Sequence, residues 1–552
     1  MTSAVRSVTA AELAGQLGDG EELALLDARE QGVYFRSHLF RACCVPLSSL
    51  ELLLDDLVPR RTTRIVWCDD GSVDHEGIGL AERAAARSAA LGWSACSVLD
   101  GGTEAWAAGG GELYAGINVP SKAFGEFIEN TFSTPRISAT DLKALVDAGS
   151  DIVVLDSRPP DEFVRMSIPG GIDCPGAELV HRVKDVVPGP DTLVVVNCAG
   201  RTRSIIGAQS LINAGLANQV VALENGTMGW QLAGFAPATG SEDHAADPTD
   251  RARTWAEEAA NVVGQRFGVR SVPWETVDRW RSDLSRTTYL LDVRTTQEFA
   301  TGHLPGSRNA PGGQLVQATG EYVATMHSRL VLIDDTAVRA TMTASWLRQL
   351  GWHDAVVLAG GVAQAGVPLL AGSAPRADAA RTNAEPVTSV GAPELEARLA
   401  NDPNSVTVLD LGDSLEYRRR GHVPGAWWGV RSRLPQARSA IGPVEQLVLT
   451  SSDGELAKLA VSDVRHEWPT ARIMVLAGGT KAWRHGGRPT ETGLTRPTTE
   501  PDDVWDKPYD HDDGEAERHM RDYLTWEIAL VEQLDRDPLV HFPSYPAREV
   551  AP

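Results

Sequence analysis

The residues best suited to chemistry lie where an apolar run, Leu193-Val-Val-Val-Asn-Cys198, ends in Ala199-Gly200-Arg201-Thr202-Arg203-Ser204. A helical stretch follows at once from Ile205 to Ala214 and is closed by Gly215. This order predicts a thiol at a strand tip, in a short loop that faces the start of a helix. Free backbone N–H groups and the positive end of the helix dipole converge at such a place. Two guanidinium groups add positive charge beside the sulfur, so the setting favours a thiolate. Cys198 is therefore the candidate nucleophile.

The other cysteines offer less. Residues 43, 44, 68, 96 and 174 form no C-x-x-C pair, so neither a disulfide framework nor a zinc site is supported. Cys68 is followed by Asp69-Asp70, whose charge opposes a thiolate and an anionic substrate. Cys43, Cys44 and Cys96 read as small buried hydrophobes. Cys174 reads either as core packing or as a resolving thiol beside Cys198.

The elements that must position Cys198 recur. An apolar run ending in Asp occurs at Asp27, Asp156, Asp292 and Asp410, each followed later by a second run and a Gly-rich turn. The turns end at Trp106, Trp230, Ala365 and Trp483, which lie 79, 74, 73 and 73 residues after their aspartates. Four copies of one unit are implied. Apolar strands alternating with helices predict a small parallel sheet in each, covered on both faces. Chemistry in such sheets sits at the C-terminal strand ends.

The copies also show which of them can react. Cys198 lies 42 residues after Asp156, and Arg203 five further on. The same offsets give Asp334 and Arg339 in the third unit, Ser452 and Ala457 in the fourth, and Asp69 and Asp74 in the first. None of these slots holds a thiol, so the second unit is expected to be the catalytic one.

At 552 residues with net charge −23, the chain is multidomain, and a nucleic-acid or anionic-membrane partner is disfavoured. The N-terminus reads as a polar start without an apolar leader, no stretch reaches membrane-spanning length, and sparse thiols fit a reducing, cytoplasmic location.

The pattern Asp156-x-Arg158, Glu162, Cys198-Ala-Gly-Arg-Thr-Arg203, Asn225-Gly226 and Trp230 resembles the rhodanese domain. Roughly residues 5–490 are similar to bacterial four-domain rhodanese-related sulfurtransferases. The resemblance is weakest in the first unit, where Ser37-His-Leu-Phe-Arg41 replaces the Gly-His-x-Pro-Gly seen at residues 302–306 and 421–425. The second unit has Met166-Ser-Ile-Pro-Gly170 there, so the histidine reads as structural.

The resemblance implies an α/β chain of four tandem rhodanese-like domains: 5–112, 134–238 (catalytic), 270–372 and 386–490, then a tail, 491–552. Met520, Tyr523, Leu524, Ile528, Val531 and Leu534 recur at helical spacing in that tail and predict a docking helix or a homodimer contact. A helix is also expected over Asp250–Phe267.

The chemistry implied is sulfur transfer. Cys198 takes the outer sulfur of a small anionic donor such as thiosulfate, and the persulfide gives it to cyanide, a thiol or a protein thiolate. No cofactor and no metal is called for. The backbone N–H groups of Ala199, Gly200, Thr202 and Ser204 would cradle the terminal sulfur. Arg203 would brace the loop, contact the donor, or both, and Arg201 would face the mouth. Asp156 and Arg158, with Glu162, read as polar supports, and Trp230 as core. Unit one or unit three is expected to cover Cys198. Two readings stay open: a sulfur-carrier or sensor scaffold, and a Cys-dependent phosphatase or arsenate reductase. The latter is disfavoured because Arg203 comes one residue too early for a Cys-x5-Arg loop.

Overall fold

The structure is a computed structural model that describes residues 5–73, 77–372, 387–402, 405–511 and 514–545. Asp74 and most of the connector 372–386 lie outside the described residues.

Four sheets are present, each built around five parallel strands in the same spatial order. In the second, the order is Arg136–Ile137, Val220–Leu223, Leu193–Asn197, Ile152–Asp156 and Ile172–Asp173. Leu193–Asn197 is the central strand, and its alternate side chains feed two cores. Val194 and Val196 pack with Leu155, Leu179 and Leu211 on one face, while Val195 packs with Val154, Leu223 and Trp230 on the other. Burial on both faces explains why the strand reads as an unbroken valine run.

The first sheet gains a sixth strand. Thr325–Met326, from the third unit, pairs antiparallel with Leu23–Asp27. The second and third units share a core, in which Val338 and Met342 join the cluster around Leu179 and Phe267. The helix expected near residue 250 spans Asp250–Arg266 and packs into that same core through Ala256, Ala260 and Val263.

Two elements outside the four sheets frame the second unit. Val119–Phe132 forms a helix in the connector between units one and two, and Ala516–Arg536 forms the C-terminal helix. On the latter, Met520, Leu524, Glu527 and Leu530 are buried, whereas Ile528 is half exposed. The predicted apolar stripe is thus rotated, and its buried face is used within the chain. No described helix is long and apolar enough to cross a membrane.

Candidate active site around Cys198

Cys198 directly follows the central strand, and the helix Thr202–Ala214 starts four residues later. The turn opposite sets the loop's shape. Gly226 has φ +56°, and a Cβ there would lie 2.3 Å from the Cys198 carbonyl oxygen and 2.7 Å from that of Gly200. Only glycine admits so close an approach in that conformation. The Thr227 and Met228 N–H groups then donate to the carbonyls of Cys198 and Ala199 at 2.8 and 2.9 Å. With its carbonyls held, the loop leaves its amides open. Among the described residues, none of the N–H groups from Ala199 to Ser204 has a hydrogen-bond acceptor, and the helix ladder begins with Ile205 donating to Arg201.

The other three units show why this matters. The same contact from the Gly-rich turn identifies the residues equivalent to Cys198: Thr103, Val362 and Thr480 donate to the carbonyls of Asp69, Asp334 and Ser451. The fourth slot is therefore Ser451, not Ser452, because Asp410 pairs with Thr450, making that stretch one residue shorter than from Asp156 to Asn197. In each case the slot residue caps its own helix. Asp69 accepts from the Ala81 N–H, Asp334 from Ala337 and Ala340, and Ser451 from Ala457. Asp and Ser are good caps and a thiol is a poor one. The amides that three units satisfy internally stay available in the second.

Cys68 ends the first unit's strand and occupies the place of Asn197, one residue short of the slot. Burial, then the Asp27 carboxylate, hold its thiol far above the ordinary range. Cys174 is fully buried among Leu155, Leu179 and Val196, and burial raises it likewise.

The two arginines separate. Arg203 donates to Glu162 at 2.9 Å, and Lys507 stands 3.4 Å from the same carboxylate. Burial opposes the charge on Arg203, but the Glu162 carboxylate and the Cys198 sulfur outweigh it and strengthen its hold on the proton. Burial would raise Glu162, yet Arg203 and Lys507 prevail and bring it down to about 2. Arg203 therefore lies in the electrostatic reach of the sulfur. Arg201 does not face the mouth. It is 4% exposed and donates to Glu126 at 2.7 and 2.8 Å, to Glu129 at 2.5 Å and to Asn225 at 3.2 Å. Its charge is spent on the connector helix, a partner that local sequence gives no means of identifying.

A depressed folded-state value means that Glu162 stabilises the fold in full above about pH 4.5, and that this contribution fades as pH falls toward 2. Glu162→Gln is expected to lower stability by roughly 3 kcal/mol at neutral pH, with the difference from wild type shrinking below pH 4.5. Urea unfolding at several pH values measures this.

Beneath the loop, Arg158 makes two side-chain bonds to Asp156, at 2.9 and 2.8 Å, and Asn197 donates to Asp156 at 2.7 Å and to Thr227 at 3.1 Å. Thr227 returns to the Cys198 carbonyl at 3.1 Å. Asp156 and Arg158 thus anchor the loop from below, and Asp27–Arg29 and Asp292–Arg294 repeat the pair. Trp230 is core.

The cover comes chiefly from the C-terminal helix. Thr202 donates to Glu527 at 2.6 Å, and Lys122 of the connector helix lies 3.4 Å from Glu527. A Cβ on Gly200 would lie 3.3 Å from Glu527 Oε2 and 3.5 Å from the Tyr523 ring. Met520 and Leu524 pack on Ala199 and Met228. Unit three approaches only from the Arg203 side, where Gly312 and Gly313 help enclose a cavity of about 30 Å³. The helix Ala516–Arg536 of the tail, rather than unit one, closes over the thiol, because its buried stripe fits the surface formed by the loop and connector helix. Helical periodicity had signalled docking, but not this place.

Comparison with known proteins agrees with this arrangement. A family model for the rhodanese-like domain matches residues 9–109, 138–233 and 276–365. The crystal structure of a thiosulfate sulfurtransferase from Pseudomonas aeruginosa is 43% identical, with a TM-score of 0.90, and the alignment covers 98% of this chain and all of that one. YrkF of Bacillus subtilis strain 168, designated as a sulfur carrier protein, is 26% identical over 135 residues, which are 23% of this chain and 71% of that protein. The fourth unit, outside the matched segments, repeats the strand order of the other three. The chain belongs to the rhodanese-like domain family, whose fold it carries four times.

Proposed function

We propose that the protein is a sulfurtransferase working through a persulfide on Cys198. The thiolate attacks the outer sulfur of thiosulfate, the S–S bond breaks with its electron pair on the departing sulfite, and a Cys198 persulfide remains. Cyanide, a small thiol or a protein thiolate then attacks the terminal sulfur, which restores the Cys198 thiolate. The observation carrying this reading is the row of open amides from Ala199 to Ser204 beside the one slot that holds a thiol. These dipoles can stabilise an anionic terminal sulfur without reorganising. Arg203, braced by Glu162, supplies charge toward the donor. The similarity to a thiosulfate sulfurtransferase supports thiosulfate as donor. Six cysteines without a disulfide fit a reducing compartment such as the cytoplasm.

Mass spectrometry after incubation with thiosulfate tests the intermediate: one added sulfur is expected on the Cys198 peptide and on no other. Arg203→Met is expected to lower kcat/KM for thiosulfate by about 10²-fold, the scale for losing one group that stabilises developing charge. Arg203→Lys should recover part of this; steady-state kinetics with cyanide as acceptor gives both values.

A second reading, a carrier that loads sulfur and passes it to one protein partner, draws support from the 2% exposure of Cys198. A loaded Cys198 that turns over slowly with cyanide would favour it.

A further inference from the structure

The first unit departs from the others at one turn, and the departure opens onto a cavity between units one, three and four. In units two, three and four, the turn after the short helix carries Pro-Gly, with Gly170, Gly306 and Gly425 at φ +75°, +80° and +74°. This is a type II turn, which calls for glycine at its third residue. In unit one, Phe40 and Arg41 take the places of proline and glycine. The closing bond survives, Ala42 donating to Leu39 at 3.0 Å as Gly171 does to Ile168 at 2.9 Å. Arg41 is not among the positive-φ residues, so the turn has changed type to admit a long side chain.

Phe40, Arg41, Cys43 and Cys44 all line a cavity of about 510 Å³, together with Trp352 from unit three and Trp428 from unit four. That is the size of a site for a small organic molecule. Arg41 has no hydrogen bond or ion pair with any described residue. Burial pulls its guanidinium down from the ordinary range, opposed by the Asp537 carboxylate.

The acids on the same wall are already engaged. Glu30 accepts from Ser48 at 2.5 Å and Ser432 at 2.9 Å, Glu321 from Asn118 at 3.3 Å, Asp413 from the backbone of Leu415 at 2.7 Å, and Asp503 from Ser414 at 2.9 Å. Burial raises Glu30 to about 7, which reduces the negative charge it presents near neutrality, and lifts Glu321 and Asp503 as well. A half-buried cation without a hydrogen-bonding partner, facing an aromatic-walled cavity, is stabilised when an anion completes it.

We propose that this cavity binds a small organic anion, a carboxylate or sulfonate on an apolar or aromatic body, with Arg41 holding the anionic group. The site is separate from Cys198 and independent of the sulfur-transfer reading.

Anilinonaphthalene sulfonate serves as the anionic probe and N-phenylnaphthylamine, which has the same rings without the sulfonate, as the neutral one. Fluorescence titration of the full chain is expected to show one equivalent of the sulfonate bound. Arg41→Met should weaken it ~10–100-fold, the range for a charge-assisted bond, with little change for the neutral probe. Arg41→Lys should retain most of the affinity. Leu53→Trp, which fills the cavity from its apolar side, should exclude both probes. Thermal unfolding without probe should stay cooperative and close to wild type in all three variants, which reports a retained fold. Absence of stoichiometric binding to the native chain overturns the proposal, as does sulfonate affinity that survives Arg41→Met or Leu53→Trp.

Discussion

Cys198→Ser is expected to reduce thiosulfate:cyanide turnover by on the order of 10⁴-fold or more, the scale on which loss of a sole nucleophile acts. The structure makes the effect this large because no other thiol can substitute. Cys68 is one residue out of the slot and held neutral by burial and Asp27. Cys174 is sealed in the core of the same unit. Serine fits the space, so the melting temperature should stay close to wild type. A hydroxyl at this position is also a better helix cap than a thiol, as Ser451 shows in the fourth unit. Its hydroxyl would then occupy amides that Cys198 leaves open. Steady-state kinetics together with intact-mass analysis decides the matter. Residual turnover above about a hundredth of wild type, or sulfur loading of the variant, would sink Cys198 as the nucleophile.

The second large effect is on stability. Arg201→Met is expected to cost about 3–5 kcal/mol, because it leaves Glu126 buried without its cation and leaves half-buried Glu129 only the longer contact to Arg136. That is a large share of the ~5–15 kcal/mol that typically holds a domain together. The loop should lose its anchor to the connector helix, so activity would fall along with the melting temperature. Adding Glu126→Met and Glu129→Gln to the same variant removes the stranded charges and should recover much of the stability. A role at the pocket mouth predicts another pattern: a normal melting temperature, a raised KM for thiosulfate and no rescue. Thermal unfolding and kinetics on the two variants separate these outcomes.

The site was legible to the extent that its chemistry is local in the chain. Cys198, the loop amides and the helix start are contiguous, and strand tip, loop and helix follow from an apolar run meeting small and polar residues. Asp156 and Arg158 are two residues apart and their pairing needs only a turn. The repeat ruler placed Asp69 and Asp334 in the nucleophile slot. It missed Ser451 by one residue, since a single deletion between paired strands shifts a count without changing the pattern. Arg201 was misdirected for a different reason. Its partners stand 75 and 72 residues away, on the helix Val119–Phe132 between the first two units.

The sequence by itself determined the four-fold repetition, the parallel sheets and the thiol, because strand burial on both faces and loop chemistry are written in consecutive residues. Tertiary structure decided everything that depends on which surfaces meet. It spent Arg201 on Glu126, brought Glu527 and Tyr523 from the chain's far end over the loop, and set Arg41 in a cavity among units one, three and four. Charge pairing and covering are contacts between distant segments, and their outcome depends on shape complementarity that periodicity and spacing do not encode.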